Sequence, residues 1–181
     1  NFTSSTNWPR VGISSITRSG VGPDGVEDSA NLIVSSTGGG TGTGHVGKTV
    51  TVDTSSTYTW SVYAKAGTCD SVMLYTHNFT TPNNNGYFFN LETGVITAYS
   101  GTPDSTATIQ DIGNGWYRCA ITFTTHSSDT SGSIRFYLAN GTNILVDRDG
   151  TDNLYAYGAQ FEEGSTPSSL IPTSGQQGTR E

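Results

Sequence analysis

An all-β sandwich or jelly roll is the fold class this sequence predicts, on three observations. No segment sustains the apolar periodicity of an amphipathic helix. Short candidate strands follow one another at near-regular spacing, with Gly, Asn and Pro between them. Two of these strands alternate cleanly. In Tyr117–Thr124, Tyr117, Cys119, Ile121 and Phe123 alternate with Arg118, Ala120, Thr122 and Thr124. In Tyr58–Lys65, Tyr58, Trp60, Val62 and Ala64 alternate with Thr59, Ser61, Tyr63 and Lys65. A period of two puts each set on its own face of a strand, so one face of each reads as core.

Along the chain, Asn1–Pro9 reads as an irregular first strand anchored by Phe2 and Trp8, and Val11–Arg18 as a weakly alternating one. Gly22-Pro23-Asp24-Gly25 is a strong turn signal. Ala30–Ser35 is a short apolar strand, Gly38–Gly44 a Gly/Thr loop and His45–Asp53 a further strand. After Tyr58–Lys65, Ser71–Asn78 is a strand and Pro82–Gly86 a loop. Gly86–Leu91, Glu92-Thr93-Gly94 and Val95–Tyr99 form a hairpin pattern. Thr106–Asp111 leads through Asn114-Gly115 into Tyr117–Thr124. Ser133–Ala139 alternates Ile134, Phe136 and Leu138 against Arg135, Tyr137 and Ala139. Ile144–Val146 and Leu154–Phe161 supply the last strands, the latter with no decisive face. Residues 1–173 are expected to form one β-sandwich module and 174–181 a flexible tail or linker.

At 181 residues the chain is long enough for one sizeable core. Charged residues make up only 13%, so Ser, Thr, Asn and Gly must provide most of the surface. No apolar run approaches a membrane span, and no basic region followed by an apolar one opens the chain, so neither membrane insertion nor a signal peptide is expected. The net charge of −7, with no Lys/Arg cluster, argues against nucleic acid as a partner. Cys69 falls at a turn and Cys119 in mid-strand. Two free thiols are the expectation and a bridge the alternative, because such positions need not meet disulfide geometry.

Catalytic motifs are absent: there is no Gly-x-Ser-x-Gly elbow and no phosphate-binding loop. His45, His77 and His126 lie in separate segments without metal-ligand spacing and read as solvated loop or strand-edge residues. Glu92, Asp104, Asp111, Glu162 and Glu163 fall at turns or strand ends, so no acid is singled out for glycoside hydrolysis. A non-catalytic protein is expected. Asp147, Asp149 and Asp152 carry the hard oxygens that calcium takes. The alternative for that stretch is an acidic turn. No other cofactor is suggested.

Several stretches resemble carbohydrate-binding-module-like domains of tailed-phage structural proteins, such as tail or head fibres. They are Thr57–Gly67, Gly113–Cys119, Gly158–Ser169 and Ile171-Pro172-Thr173, with Pro23-Asp24-Gly25 as an early turn. The resemblance implies a jelly-roll β-sandwich of two antiparallel sheets, a place on a virion surface or otherwise outside the cell, and no catalysis. It leans toward a free thiol at Cys119. Two functions fit it: attachment to a host or environmental polysaccharide, or a capsid-decoration or fibre domain packed against other virion subunits, with a homotrimer as a candidate assembly. The expected ligand-binding residues are those opposite the core sets: Tyr63, Lys65, Arg118, Arg135 and Tyr137, with Trp116 at the edge. If their strands share a sheet, these side chains form one aromatic and cationic surface, suited to stacking on sugar rings and to pairing with acidic glycans.

Overall fold

The alternating strands of the sequence fold as sheets whose inner faces carry the apolar set. A computed structural model describes residues 2, 7–99 and 104–170. The strands are β1 (Arg10–Val11), β2 (Ile13–Arg18), β3 (Asn31–Ser35), β4 (Thr41–Thr43), β5 (His45–Thr51), β6 (Thr57–Ala66), β7 (Ser71–His77), β8 (Asn85–Asn90), β9 (Ile96–Ala98), β10 (Ser105–Gly113), β11 (Trp116–Thr124), β12 (Ser131–Ala139), β13 (Leu145–Asp147) and β14 (Asn153–Glu163). There is no helix among the described residues. One six-stranded sheet runs β1-β5-β12-β7-β8-β9 and the other β10-β11-β6-β14-β3-β2. We call them the front and back sheets. All their pairings are antiparallel, and they make a jelly-roll β-sandwich. The tail expected from Ser174 lies outside the described residues.

The core between the sheets follows the expected alternation. Trp60, Val62 and Ala64 of β6 and Cys119 and Ile121 of β11 meet Ile134, Phe136 and Leu138 of β12 and Leu74 of β7. Trp60 is fully buried. It stacks on Trp8 at 5.9 Å between ring centroids, and Phe2 lies 4.8 Å from Trp8 and 5.9 Å from Phe136. The aromatic anchors of the first segment thus plug the core. Both cysteines are buried free thiols. Burial pushes the Cys69 thiol up to about 12 and that of Cys119 strongly upward, so neither is a nucleophile at neutral pH.

Three local features refine the sequence reading, and the first departs from it. The Gly/Thr loop contains β4, which pairs with β13 in a small separate sheet. Asn114-Gly115 closes the β10–β11 hairpin with positive φ at both residues, as the primed hairpin turns require. In β14 the register against β6 shifts between Tyr157 and Gln160, around Gly158 at φ 57°. Before this bulge, Leu154 and Ala156 point into the core; after it, Phe161 packs on Tyr58 and Phe123. The strand has no single buried face because the bulge exchanges its two faces.

Candidate functional site

The six residues expected to share one surface are divided between the two sheets. Tyr63 and Lys65 lie on β6 and Trp116 and Arg118 on β11, both in the back sheet. Arg135 and Tyr137 lie on β12, in the front sheet. Alternation fixes which side of its own strand a residue occupies but not which sheet the strand joins, so the single surface is corrected to two opposite ones.

The outer side of the back sheet is covered. At one end lies the β2–β3 loop. Trp116 is only 2% exposed, and its indole N–H donates to the Val21 carbonyl at 3.3 Å. Asp24 pins the same loop: its carboxylate accepts from Ser29 Oγ at 2.6 Å, from the Val26 amide at 3.1 Å and from the Tyr157 hydroxyl at 2.9 Å. Toward the other end, the segment after β14 straps across the sheet. The Thr59 hydroxyl donates to the Gly164 carbonyl at 2.8 Å. Arg118 donates to the Ser168 carbonyl, and its guanidinium lies 5.2 Å from the Tyr63 ring centroid. Glu162 accepts from the Ser168 amide at 2.9 Å and from the Ser168 hydroxyl. This strap explains why Ser61 and Ala120, on the polar side of their strands, are buried. Trp116 and Arg118 are therefore fastenings of covering segments, with Tyr63 between them, and not an open surface.

The outer side of the front sheet is built differently. The registers place His45 opposite Tyr137, Tyr137 opposite Met73 and Met73 opposite Phe88. In the adjacent row, Gly47, Arg135, Tyr75 and Gly86 follow one another across the strands. A second apolar cluster, Met73, Phe88, Tyr137 and Ala139, forms the floor. Tyr75 stands edge-on to both Tyr99 (5.7 Å, 88°) and Tyr137 (5.8 Å, 84°). The three rings are graded in exposure, with Tyr137 at 6%, Tyr75 half-buried and Tyr99 at 42%. The two glycines make room: a Cβ on Gly47 would lie 3.2 Å from Arg135 Cγ, and one on Gly86 would lie 2.9 Å from the Tyr75 ring. Each flanking side chain therefore lies down on the sheet.

Electrostatically the face is nearly neutral apart from one cation. Burial, then the Arg135 charge, then His77, push His45 down to about 4, so it is uncharged at physiological pH. Burial, then the neighbouring Tyr99 and Tyr137, raise Tyr75, which remains a phenol able to donate and accept. His77 bonds Asn84 through Nδ1 at 2.7 Å and stacks beside Tyr75 at 6.2 Å. His45 and His77, read from the sequence as unrelated solvated residues, thus lie on the same face, whereas His126 stays exposed in a loop. Next to Phe88, a groove of about 220 Å³ is lined by Asn90, Thr93, Thr97 and Thr142 among others. Tyr75, Tyr99, His45 and His77 are the residues sequence reasoning missed on this face. The alternation of Met73, Tyr75 and His77 against Val72, Leu74 and Thr76 is the signal that could have found two of them.

Two of the three aspartates considered for calcium, Asp149 and Asp152, spend their carboxylates on local turns. Asp152 accepts from the Asp147 amide at 2.7 Å, and Asp149 accepts from the Thr151 amide and hydroxyl at 2.9 and 2.6 Å. No group of three or more potential metal ligands occurs among the described residues. The stretch is an acidic turn, and Arg148 folds back from it to donate to the Thr43 carbonyl at 3.0 Å.

No protein-family profile matches the chain, and no curated protein matches it in sequence. Similar folds occur among solved structures. The chain is similar to part of the enzymatically active domain of tailspike protein 4 from bacteriophage CBA120, with a TM-score of 0.51 at 9% identity. That match covers 90% of this chain but only 20% of the other, so the chain spans about a fifth of the tailspike's length. A second similar structure, described as CBM4 structure and function, matches at a TM-score of 0.48 and 15% identity over 91% of this chain and 100% of that one. At these identities the tailspike likeness concerns the fold alone.

Proposed function

We propose that this chain is a non-catalytic carbohydrate-binding module and that it holds its glycan on the outer side of the front sheet. The observation that carries this reading is the contrast between the two outer surfaces. A loop and a strap cover the back sheet, while the front sheet presents Tyr75 and Tyr99 beside Arg135, over the buried Tyr137, with no segment across them among the described residues. Tyrosine rings with free edges and hydroxyls stack on the apolar faces of sugars and bond their hydroxyls at low entropic cost. The groove beside Phe88, lined by Asn and Thr side chains, extends the surface for a chain longer than one sugar. No pair of carboxylates faces this surface among the described residues, so these residues are suited to holding a polysaccharide and not to cleaving one. Attachment to host or environmental polysaccharide from a virion surface fits this chemistry.

A second reading is favoured by the apolar floor of Met73, Phe88, Tyr137 and Ala139, which would also suit packing against another subunit. One experiment separates the two. The chain is screened on a glycan array and its mass measured by light scattering, alongside Tyr75→Ala, Tyr99→Ala and Tyr63→Ala. The carbohydrate reading expects glycan binding by a monomer, weakened about tenfold or more by the first two substitutions and unchanged by the third. A stable oligomer that binds no glycan and dissociates on Tyr99→Ala would replace it with the packing reading.

A further inference from the structure

The position of Arg135 narrows the ligand class, an inference that rests on the carbohydrate reading. Its aliphatic stem lies flat over Gly47, and Tyr75 is its neighbour on the opposite strand. One N–H of Nη1 donates to the Tyr137 hydroxyl at 3.2 Å. Its other N–H donors find no acceptor among the described residues, and no carboxylate lies within ion-pair distance of it there. Other arginines are engaged differently: Arg118 is spent on the strap and Arg148 on the Thr43 carbonyl.

The surroundings sharpen the contrast. The chain has fifteen acidic residues against eight basic ones. Following the registers across β5, β12, β7 and β8, however, no outward position of this face is Asp or Glu. His45 and His77 line the same patch. An acidic protein that leaves one guanidinium unpaired amid tyrosines, and keeps carboxylates off the surrounding strands, has a surface complementary to a single negative charge. The guanidinium fork matches a carboxylate in particular, because two parallel N–H donors can meet its two oxygens.

We propose that the glycan bound on the front sheet carries a carboxylate, as a uronic-acid or sialic-acid residue does, and that this carboxylate pairs with Arg135 while the sugar ring rests against Tyr75 and Tyr99. The groove beside Phe88 then takes an adjoining uncharged residue through Asn90, Thr97 and Thr142.

The test is calorimetric titration of the full chain with oligogalacturonate, alginate oligosaccharides and a sialylated oligosaccharide. Each is paired with its carboxyl-reduced counterpart, and dextran sulfate is included. The expected result is that at least one acidic glycan binds about tenfold or more tighter than its reduced partner, the scale of a charge-assisted hydrogen-bonded pair. Arg135→Gln should abolish that difference, bringing the acidic glycan's affinity to within about twofold of its reduced partner's in the same variant. Arg135→Lys should recover only part of it, since a point charge replaces the fork. Unchanged melting temperatures would show that both variants remain folded. If acidic and reduced glycans bind equally, or Arg135→Gln changes nothing, the carboxylate inference fails and the carbohydrate reading stands. Preference for dextran sulfate over every carboxylate would also overturn it in favour of a sulfated ligand. Binding of no glycan from either series overturns both.

Discussion

Replacing Trp60 by alanine tests the architecture at its centre. The indole is fully buried between the sheets and stacked on Trp8. A buried tryptophan removes roughly 200 Å² from water, which at about 25 cal/mol per Å² is about 5 kcal/mol. One contribution runs the other way: the Trp60 indole N–H is buried with no acceptor among the described residues. Deleting it relieves a desolvation cost of about 1–2 kcal/mol. The net expectation for Trp60→Ala is a loss of about 3–4 kcal/mol, in the range seen for large aromatics removed from cores. Trp60→Phe keeps most of the ring and also discards the unpaired N–H, so its two effects nearly cancel and stability should stay within about 1.5 kcal/mol of the parent. The assay is equilibrium urea unfolding, with equal slopes confirming comparable unfolded states. A Trp60→Ala midpoint close to the parent's would show that the sheets do not close over this residue. If Trp60→Phe cost as much as Trp60→Ala, the N–H would have a partner, and the argument for cancellation would be wrong.

Two further outcomes follow from particular contacts. Arg118→Ala should leave the circular dichroism spectrum unchanged, cost about 1–3 kcal/mol for the lost charge-assisted bond, and speed proteolytic cutting between Ser165 and Leu170; unchanged cutting would mean that the strap is held without it. Asp129 is tied to the amides of Thr80, Thr81 and His126, and although burial pushes its carboxyl upward, these bonds and the Thr80 side chain hold it below its ordinary value of 3.8. Because the folded value is the lower one, this stabilisation is complete above 3.8 and is lost as pH falls through the folded value. Asp129→Ala should therefore cost about 1–3 kcal/mol at pH 7, and the gap to the parent should close below about pH 3.8; a gap that persisted in strong acid would point to packing as its cause.

Much of the sandwich was legible because its best strands alternate without interruption. Trp60, Ile121 and Phe136 are buried where period-two patterning puts them, and Asn114-Gly115 turns the chain as its residue types require. The sheet membership of β12 was not legible, because strand pairing is a long-range property that local alternation does not encode. For the same reason Arg118 and Arg135, equivalent in the sequence pattern, ended on opposite sides of the molecule. The burial of Trp116 and Ala120 was hidden because what covers them comes from distant segments, around Val21 and Ser168. In β14 the obstacle was physical: a bulge at Gly158 exchanges the faces, so no single alternation exists to be read. His45 offered no signal at all, since its low proton affinity arises from burial and from charges contributed by other strands.

The central claim is that the front sheet, and not the back sheet, holds carbohydrate. Backbone amide chemical shifts recorded by NMR during titration with the best-binding oligosaccharide test it most directly. The account predicts shifts concentrated on β5, β7, β8 and β12 around Tyr75, Arg135 and Tyr137, with the amides of β6 and β11 around Tyr63 and Arg118 unmoved. Shifts centred on Tyr63, Trp116 and Arg118, with the front sheet silent, would contradict it.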